Sequence, residues 1–428
     1  DDGAGLEGVA DMADMRYCQS PADVRTQAGL ESVKACMDDF TSNNIDVVNQ
    51  SWGLNTFNAD DLDLYISTYP SNTVTELLQY ALTDHYDDNG TSADGWINLN
   101  GGLDSAHQTA VTNYITSLNN FQSNGGIIVQ SNSNLTYEVD ADIFAALPTF
   151  YSQLEEAWIA VININVTGTT GNSYTLRSAP CGQTKTYCLG ADGENIAAVA
   201  INSSGYWSIG SGTSYAAPQV AGAVALLKEA FPNHTAEMIV DRLLATGQNS
   251  TSLIGSHTGA VTFGNGVQHG YNANFGHGLM DVYAALSPIT SSSYVQGNGG
   301  QLGQPIGSGG GNNNNGQSSS NSIPLQTKVI NSQGQVIETE ITTSYISTSQ
   351  SLGDGLQNNL SGVQNYVYDA LDGGFKYKLS AHVLDKVTKE PIANLEVDFN
   401  LLNNNVIQVE DKKFEFVAEN KGVVLDTS

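Results

Sequence analysis

The stretch Gly212-Thr213-Ser214-Tyr215-Ala216-Ala217-Pro218-Gln219-Val220-Ala221-Gly222 decides the fold, together with its continuation Ala223-Val224-Ala225-Leu226-Leu227-Lys228. It predicts a helix that starts at Ser214 and is apolar all round, the pattern of an element buried in a large core. Gly212 allows a close approach of backbone to ligand. Ser214 meets the positive end of the helix dipole, where unpaired N–H groups can hold an oxyanion. Pro218 falls near the first turn, where its missing N–H costs little. From these residues alone, Ser214 reads either as the cap of a core helix or as a reactive serine at an anion-binding helix end.

The whole string resembles the nucleophile motif of the subtilisin-like serine peptidases, G-T-S-x-A-A-P-x-V-A-G, and every fixed position is filled. The resemblance implies that Ser214 is the nucleophile of an acyl-transfer site. It also implies an α/β fold: a largely parallel sheet with helices on both faces.

Working upstream, Gly205 to Ser211 leads into the nucleophile, and Trp158 to Ile164 reads as a further strand. Cys181 and Cys188 bracket six residues, close enough to join as a small disulfide loop. That passage resembles the subtilisin-like domains of bacterial autotransporters. Gly125 to Val129 turns into another buried strand and runs on as Gln130-Ser131-Asn132-Ser133-Asn134. In the family this segment carries an asparagine that donates its amide to the oxyanion. Asn134 takes that place by resemblance, with Asn132 as competitor, because Ser133 stands where the family has glycine. Ser131 and Ser133 are expected on the substrate side.

Further upstream, Asp46 to Gly53 reads as a strand ending in glycine, after a helical spacing at Leu30, Val33, Cys36, Met37 and Phe40. Helix, strand and loop in that order fit a parallel sheet. Ser51-Trp52-Gly53 matches the family's S-x-G, which there pairs with substrate backbone; a plain strand end is the other reading. Met12 to Tyr17 is a short strand candidate. Residues 54–104 read as an insertion, with a Thr73/Glu76 capping box. An acidic loop with Asp84, Asp87, Asp88 and Asp94 either holds structural calcium or is simply solvated; its spacing is not that of an EF-hand. Ala106 to Leu118 is helical, with His107 expected at the surface. No cofactor is required by the chemistry.

Working downstream, Thr235 caps a helix over 236–245, and Phe275 to Leu286 resembles the family's closing segment. The expected organisation is a peptidase domain over 1–288, a Gly/Asn/Ser linker over 289–323, and a β-rich region over 324–428. In that last region Val329–Ile330 and Gln335–Ile341 predict a hairpin. Leu352, Leu356, Leu360, Val363, Val367 and Leu371 step by helical intervals, which predicts one helix near 351–371.

The chain has 428 residues, with 44 acidic against 15 basic and a net charge of −29. That disfavours nucleic acid and anionic membrane surfaces as partners. Two sequence-local cysteine pairs, Cys18 with Cys36 and Cys181 with Cys188, fit no zinc ribbon and suggest disulfides in an oxidising compartment. An extracellular or cell-surface protein with a peptide or protein substrate is the expectation.

Serine peptidases need a nucleophile, a general base, an orienting carboxylate and oxyanion donors. Neither an H-G-T-like histidine nor a D-[ST]-G-like aspartate is found among the residues. His85 and His107 lie in the insertion, while His234, His257, His269, His277 and His382 follow the serine. The expectation is that an N-terminal segment upstream of Asp1 supplies Asp and His. A pseudoenzyme is the alternative: a subtilisin-fold passenger acting as adhesin or binding module. The resemblance to autotransporters would further imply an outer-membrane barrel anchor beyond the C-terminus.

Overall fold

The computed structural model describes residues 8–10, 12–18, 23–54, 57–84, 105–167, 173–202 and 205–289, and 15 residues over 364–378 with seven further strands between 325 and 418. It divides into two units, 1–261 with 270–281, and 262–269 with 282–428.

In the first unit a helix α1 (Gln27–Ser42) is capped by Thr26, whose side chain accepts the Gly29 N–H. Its apolar stripe, Leu30, Val33, Met37 and Phe40, is buried. Strand β1 (Val47–Gln50) follows, then α2 (Ala59–Thr68) and α3 (Val74–Asp84). The capping box is formed: Thr73 N–H donates to Glu76 at 2.7 Å and Glu76 N–H to Thr73 Oγ1 at 3.2 Å. Helix α4 (Ser105–Ser123) leads to β2 (Ile127–Ser131), whose five residues are all buried, as a parallel strand covered on both faces requires.

After a short helix α5 (Leu147–Phe150), strand β3 (Trp158–Thr167) is long and does two things. Its first half pairs in parallel with β2 on one side and with β5 (Cys188–Ala191) on the other. Its second half pairs antiparallel with β4 (Ser173–Leu176). Since β1 pairs in parallel with β2, the parallel order is β1-β2-β3-β5. An antiparallel pair, β6 (Ile196–Asn202) and β7 (Gly205–Gly210), then delivers the chain to helix α6 (Thr213–Ala230). This helix packs across β1, β2, β3 and β5, while α1 packs on α4. Val220, Val224 and Leu227 are fully buried beneath it; each such side chain contributes about 1.5–3 kcal/mol by leaving water. Helix α7 (Ala236–Leu244) follows, capped by Thr235 at 3.2 Å from the Met238 N–H.

Several expectations are corrected. Residues 12–17 form no strand; Met12, Met15 and Tyr17 are 85–94 % exposed. That segment is tied down instead by the Cys18–Cys36 disulfide and by Arg16 on Asp39. His107 is buried, not at the surface. The reason was visible: 107, 110, 111 and 114 fall on one helical stripe. Helix α6 is not buried all round, since Pro218 and Glu229 are exposed.

In the second unit seven of the described strands form a sheet that includes the expected hairpin, Leu325–Ile330 against Val336–Thr343, and Ile346–Ser347 pairs separately with Val383–Leu384. The helix expected near 351–371 does not extend over 364–371. Gln364–Tyr368 is a strand paired with Gly374–Lys378, because Tyr366-Val367-Tyr368 favours a sheet and Asp372-Gly373-Gly374 turns the chain. Asp369 holds that turn by accepting the N–H groups of Leu371 and Gly373. The linker 290–323, residues 351–363, the acidic loop 85–94, His85 and His382 lie outside the described residues.

Candidate active site

Ser214 is the second residue of α6, and the geometry there starts with Gly212. Its φ of 144° is one that side-chain-bearing residues rarely adopt, and a Cβ on it would stand 2.8 Å from Asn134 Oδ1. Gly193 is pressed closer still; a Cβ there would meet Gly212 O at 2.4 Å. Gly212 N–H donates to Gly193 O at 3.0 Å, so the ends of β5 and β7 meet through two glycines. Asn163, a polar residue inside the apolar run of β3, anchors this loop by accepting the Gly193 N–H at 2.9 Å and donating to Glu194 at 2.7 Å. Gln219 adds a bond from α6 to Asp192 O at 2.7 Å.

The first N–H groups of a helix have no partner within it. Here Thr213 N–H donates to Asn134 Oδ1 at 2.8 Å. The Ser214 N–H meets no acceptor among the described residues. Because a backbone N–H only donates, the Asn134 atom facing Thr213 is the amide oxygen, and Nδ2 lies on the other branch. Thr213 Oγ1 also donates to Asn132 O at 2.7 Å, which stitches the helix start to the chain leaving β2.

The two candidate asparagines are placed differently. Asn132 is buried, and its amide is consumed: Oδ1 accepts from Ser133 N–H at 2.8 Å and Asp142 N–H at 2.7 Å, and Nδ2 donates to Pro180 O at 2.8 Å. Asn134 is exposed beside the helix end. Ser131 and Ser133, expected on the substrate side, are buried at 3 % and 2 % exposure. Ser131 Oγ turns to Trp52 O, and Ser133 Oγ accepts the Leu135 N–H. The strand's last residues pack inward before the chain turns out at Asn134, so these hydroxyls do not face solvent.

Of Ser51, Trp52 and Gly53, Ser51 is hydrogen-bonded to Ser214. Ser51 Oγ donates to Ser214 O at 3.2 Å, and Ser214 Oγ donates to Ser51 O at 3.2 Å. The Trp52 ring meets Phe144 edge-on at 4.8 Å, and its carbonyl accepts from the Gln130 amide. Gly53 is exposed above Asp142.

In this unit no described histidine, His107, His234, His257 or His277, hydrogen-bonds to Ser214. His257 and His277 face the carbonyls of Asn249 and Thr186. Cys181 and Cys188 are joined, with Cα atoms 5.9 Å apart. Among the described residues no group of acidic, His or Cys side chains is arranged to hold a metal ion. Sequence reasoning missed Thr213 and Asn163. The signal for Asn163 was a lone amide in the apolar run Trp158 to Ile164.

The model of the subtilase family matches residues 1–278. Comparison with curated protein sequences returns no match. Among solved structures, the prenylagaramide maturation protease PagA is similar at 14 % identity and TM-score 0.36, over 60 % of this chain and 66 % of that one. Fervidolysin from Fervidobacterium pennivorans, a keratinolytic enzyme related to subtilisin, is similar at 22 % identity and TM-score 0.29, over 41 % of this chain and 24 % of that one. MycP1 with its N-terminal propeptide removed is similar at 17 % identity and TM-score 0.35, over 63 % and 68 %. The chain thus spans less than two thirds of the length of the first two.

Proposed function

The chain belongs to the subtilase family, and from that premise we propose that it is a serine endopeptidase with Ser214 as nucleophile. The observation that carries this reading is the open end of α6, where a Ser214 N–H that meets no acceptor among the described residues stands beside the Asn134 amide, which accepts from Thr213. Ser214 Oγ attacks the scissile carbonyl of a peptide or protein substrate and gives its proton to a general base. The carbonyl oxygen becomes an oxyanion between the Ser214 N–H and Asn134 Nδ2. Collapse expels the amine, which takes up that proton, and water then hydrolyses the acyl-enzyme. The exposed backbone around Gly53 offers a place for extended substrate to pair.

We assign the base histidine and its orienting aspartate to residues outside the described set, on a segment that docks beside Ser51 and Ser214. Two disulfides accord with an extracellular or surface location. Among the described residues no helix is long and apolar enough to cross a membrane.

One observation favours a second reading, a binding module on a retained fold: the Ser214 hydroxyl rests on the Ser51 carbonyl and not on an imidazole. A fluorophosphonate probe separates the two. The peptidase reading expects labelling at Ser214 and loss of protein hydrolysis in Ser214→Ala. Labelling of another serine, or undiminished hydrolysis by that variant, would replace it with the binding module.

A further inference from the structure

Pro218 removes one hydrogen bond from α6, and it does so at Ser214. In an α-helix the carbonyl of residue i is paired by the N–H of residue i+4. For Ser214 that residue is Pro218, which has no N–H. Ser51 fills the gap, since its Oγ donates to Ser214 O at 3.2 Å. The direction is fixed because a backbone carbonyl only accepts, so the Ser51 hydroxyl is the donor. Asn49 Nδ2 donates to Ser51 Oγ at 3.0 Å, and the Ser51 proton has two acceptors within reach, Ser214 O at 3.2 Å and Asn49 Oδ1 at 3.3 Å, of which Ser214 O is the nearer. At the same time the Ser51 carbonyl accepts the Ser214 hydroxyl at 3.2 Å. Side chain holds backbone in one direction and backbone holds side chain in the other, between residues 163 positions apart.

We propose that Ser51 is a positioning residue for the nucleophile, one that replaces the N–H missing at Pro218 and locks the start of α6 to the end of β1. An ordinary residue at 218 would satisfy the carbonyl along the helix axis only. The proline leaves it open to a sideways bond, so that the nucleophile and the Ser51-Trp52-Gly53 segment keep one fixed spacing. The Ser51 carbonyl also sets the resting orientation of the Ser214 hydroxyl. This inference rests on the reading of Ser214 as nucleophile.

The test is a double-mutant cycle read by fluorophosphonate labelling of Ser214 in the full-length protein, resolved into the maximal labelling rate and the half-saturating reagent concentration. Ser51→Ala should lower the maximal rate by about ten- to a hundredfold, the range for a slightly misplaced reacting group, with the half-saturating concentration unchanged. Ser51→Thr, which keeps the hydroxyl, should retain most of the rate. Adding Pro218→Ala to Ser51→Ala should restore it, because alanine at that place supplies the N–H. Recovery of folded Ser51→Ala only in the Pro218→Ala background is the same rescue and supports the coupling. If the wild type is labelled at Ser214 but Ser51→Ala labels equally fast, or is not rescued by Pro218→Ala, the positioning role is overturned and the nucleophile reading stands. An unlabelled Ser214 in the wild type removes the nucleophile reading and the positioning role with it.

Discussion

A Cβ placed on Gly53 would stand 2.8 Å from the carboxylate of Asp142, so the candidate substrate-pairing backbone lies directly on a buried acid. Burial holds the Asp142 carboxyl well above the usual carboxylate range, while the backbone N–H groups of Phe144, Leu54 and Ala145 pull the other way. The Phe144 N–H donates to Oδ1 at 2.9 Å.

The sign of the resulting pH dependence follows from linkage. A raised native pKa means that the folded chain binds the Asp142 proton more tightly than the unfolded chain. Stability is therefore full below about pH 4, the unfolded value, and is lost as pH rises from there toward the folded value. Asp142→Asn keeps the acceptor for Phe144 and removes the ionisation. It should stabilise the protein at pH 8 and change little at pH 4. Urea unfolding at the two pH values measures this, and an equal gain at both would refute the burial argument.

His277 should show the opposite slope. It is buried, and burial pushes its imidazole down to about 4, against the hydrogen bond to Thr186 O. The folded value lies below the unfolded one, so its contribution is full above about pH 6.5 and is lost as pH falls toward 4. From the difference, on the order of 3 kcal/mol is lost across that window. His277→Gln keeps a donor for Thr186 and should flatten the acid limb of the stability curve. An unchanged slope between pH 6.5 and 4 in that variant would show that another group carries it.

Much of the first unit was legible in the chain because local signals and tertiary packing agree there. The apolar periodicity around Val33, the box at Thr73 and Glu76, and the continuous apolar runs at Ile127 and Trp158 each specify their element without help. The asparagines were not separable in the same way. Asn132 and Asn134 sit in one polar run, and what distinguishes them is the Asp142 N–H and the Pro180 carbonyl, far along the chain. Likewise, nothing near Ser51 announces that its hydroxyl serves a carbonyl vacated by Pro218. Over 364–368 the failure has another cause. A stripe with helical spacing also contains residues that favour strands, and pairing with 374–378 decides the outcome.

The Cys181–Cys188 bridge closes a loop with a sequence separation of 7. Chain-entropy reasoning gives such a short loop about 2.5 kcal/mol of stabilisation. The double variant Cys181→Ser with Cys188→Ser should lose roughly that amount in denaturant unfolding. Alkylation of the unreduced, denatured protein should leave both cysteines unmodified. Free thiols at both would remove the bridge.

The roles of the two asparagines make a crossed prediction. Asn134 is exposed and touches the helix start through Thr213, so Asn134→Ala loses one cap interaction, about 0.5–2 kcal/mol. Its larger effect should be on turnover, a drop in kcat on the order of 10²–10³ with KM little changed, because an oxyanion donor acts only as charge develops. Asn132 is buried and pairs with two backbone donors and a carbonyl. Removing it leaves those groups unsatisfied, at about 1–3 kcal/mol each. Asn132→Ala should thus be strongly destabilised, while the fraction that stays folded keeps most of its kcat. Parallel measurement of steady-state hydrolysis and urea unfolding on both variants decides the matter. Should Asn132→Ala lose kcat at full stability while Asn134→Ala turns over normally, the oxyanion donor would be Asn132, and the end of β2 would have to rearrange when substrate binds.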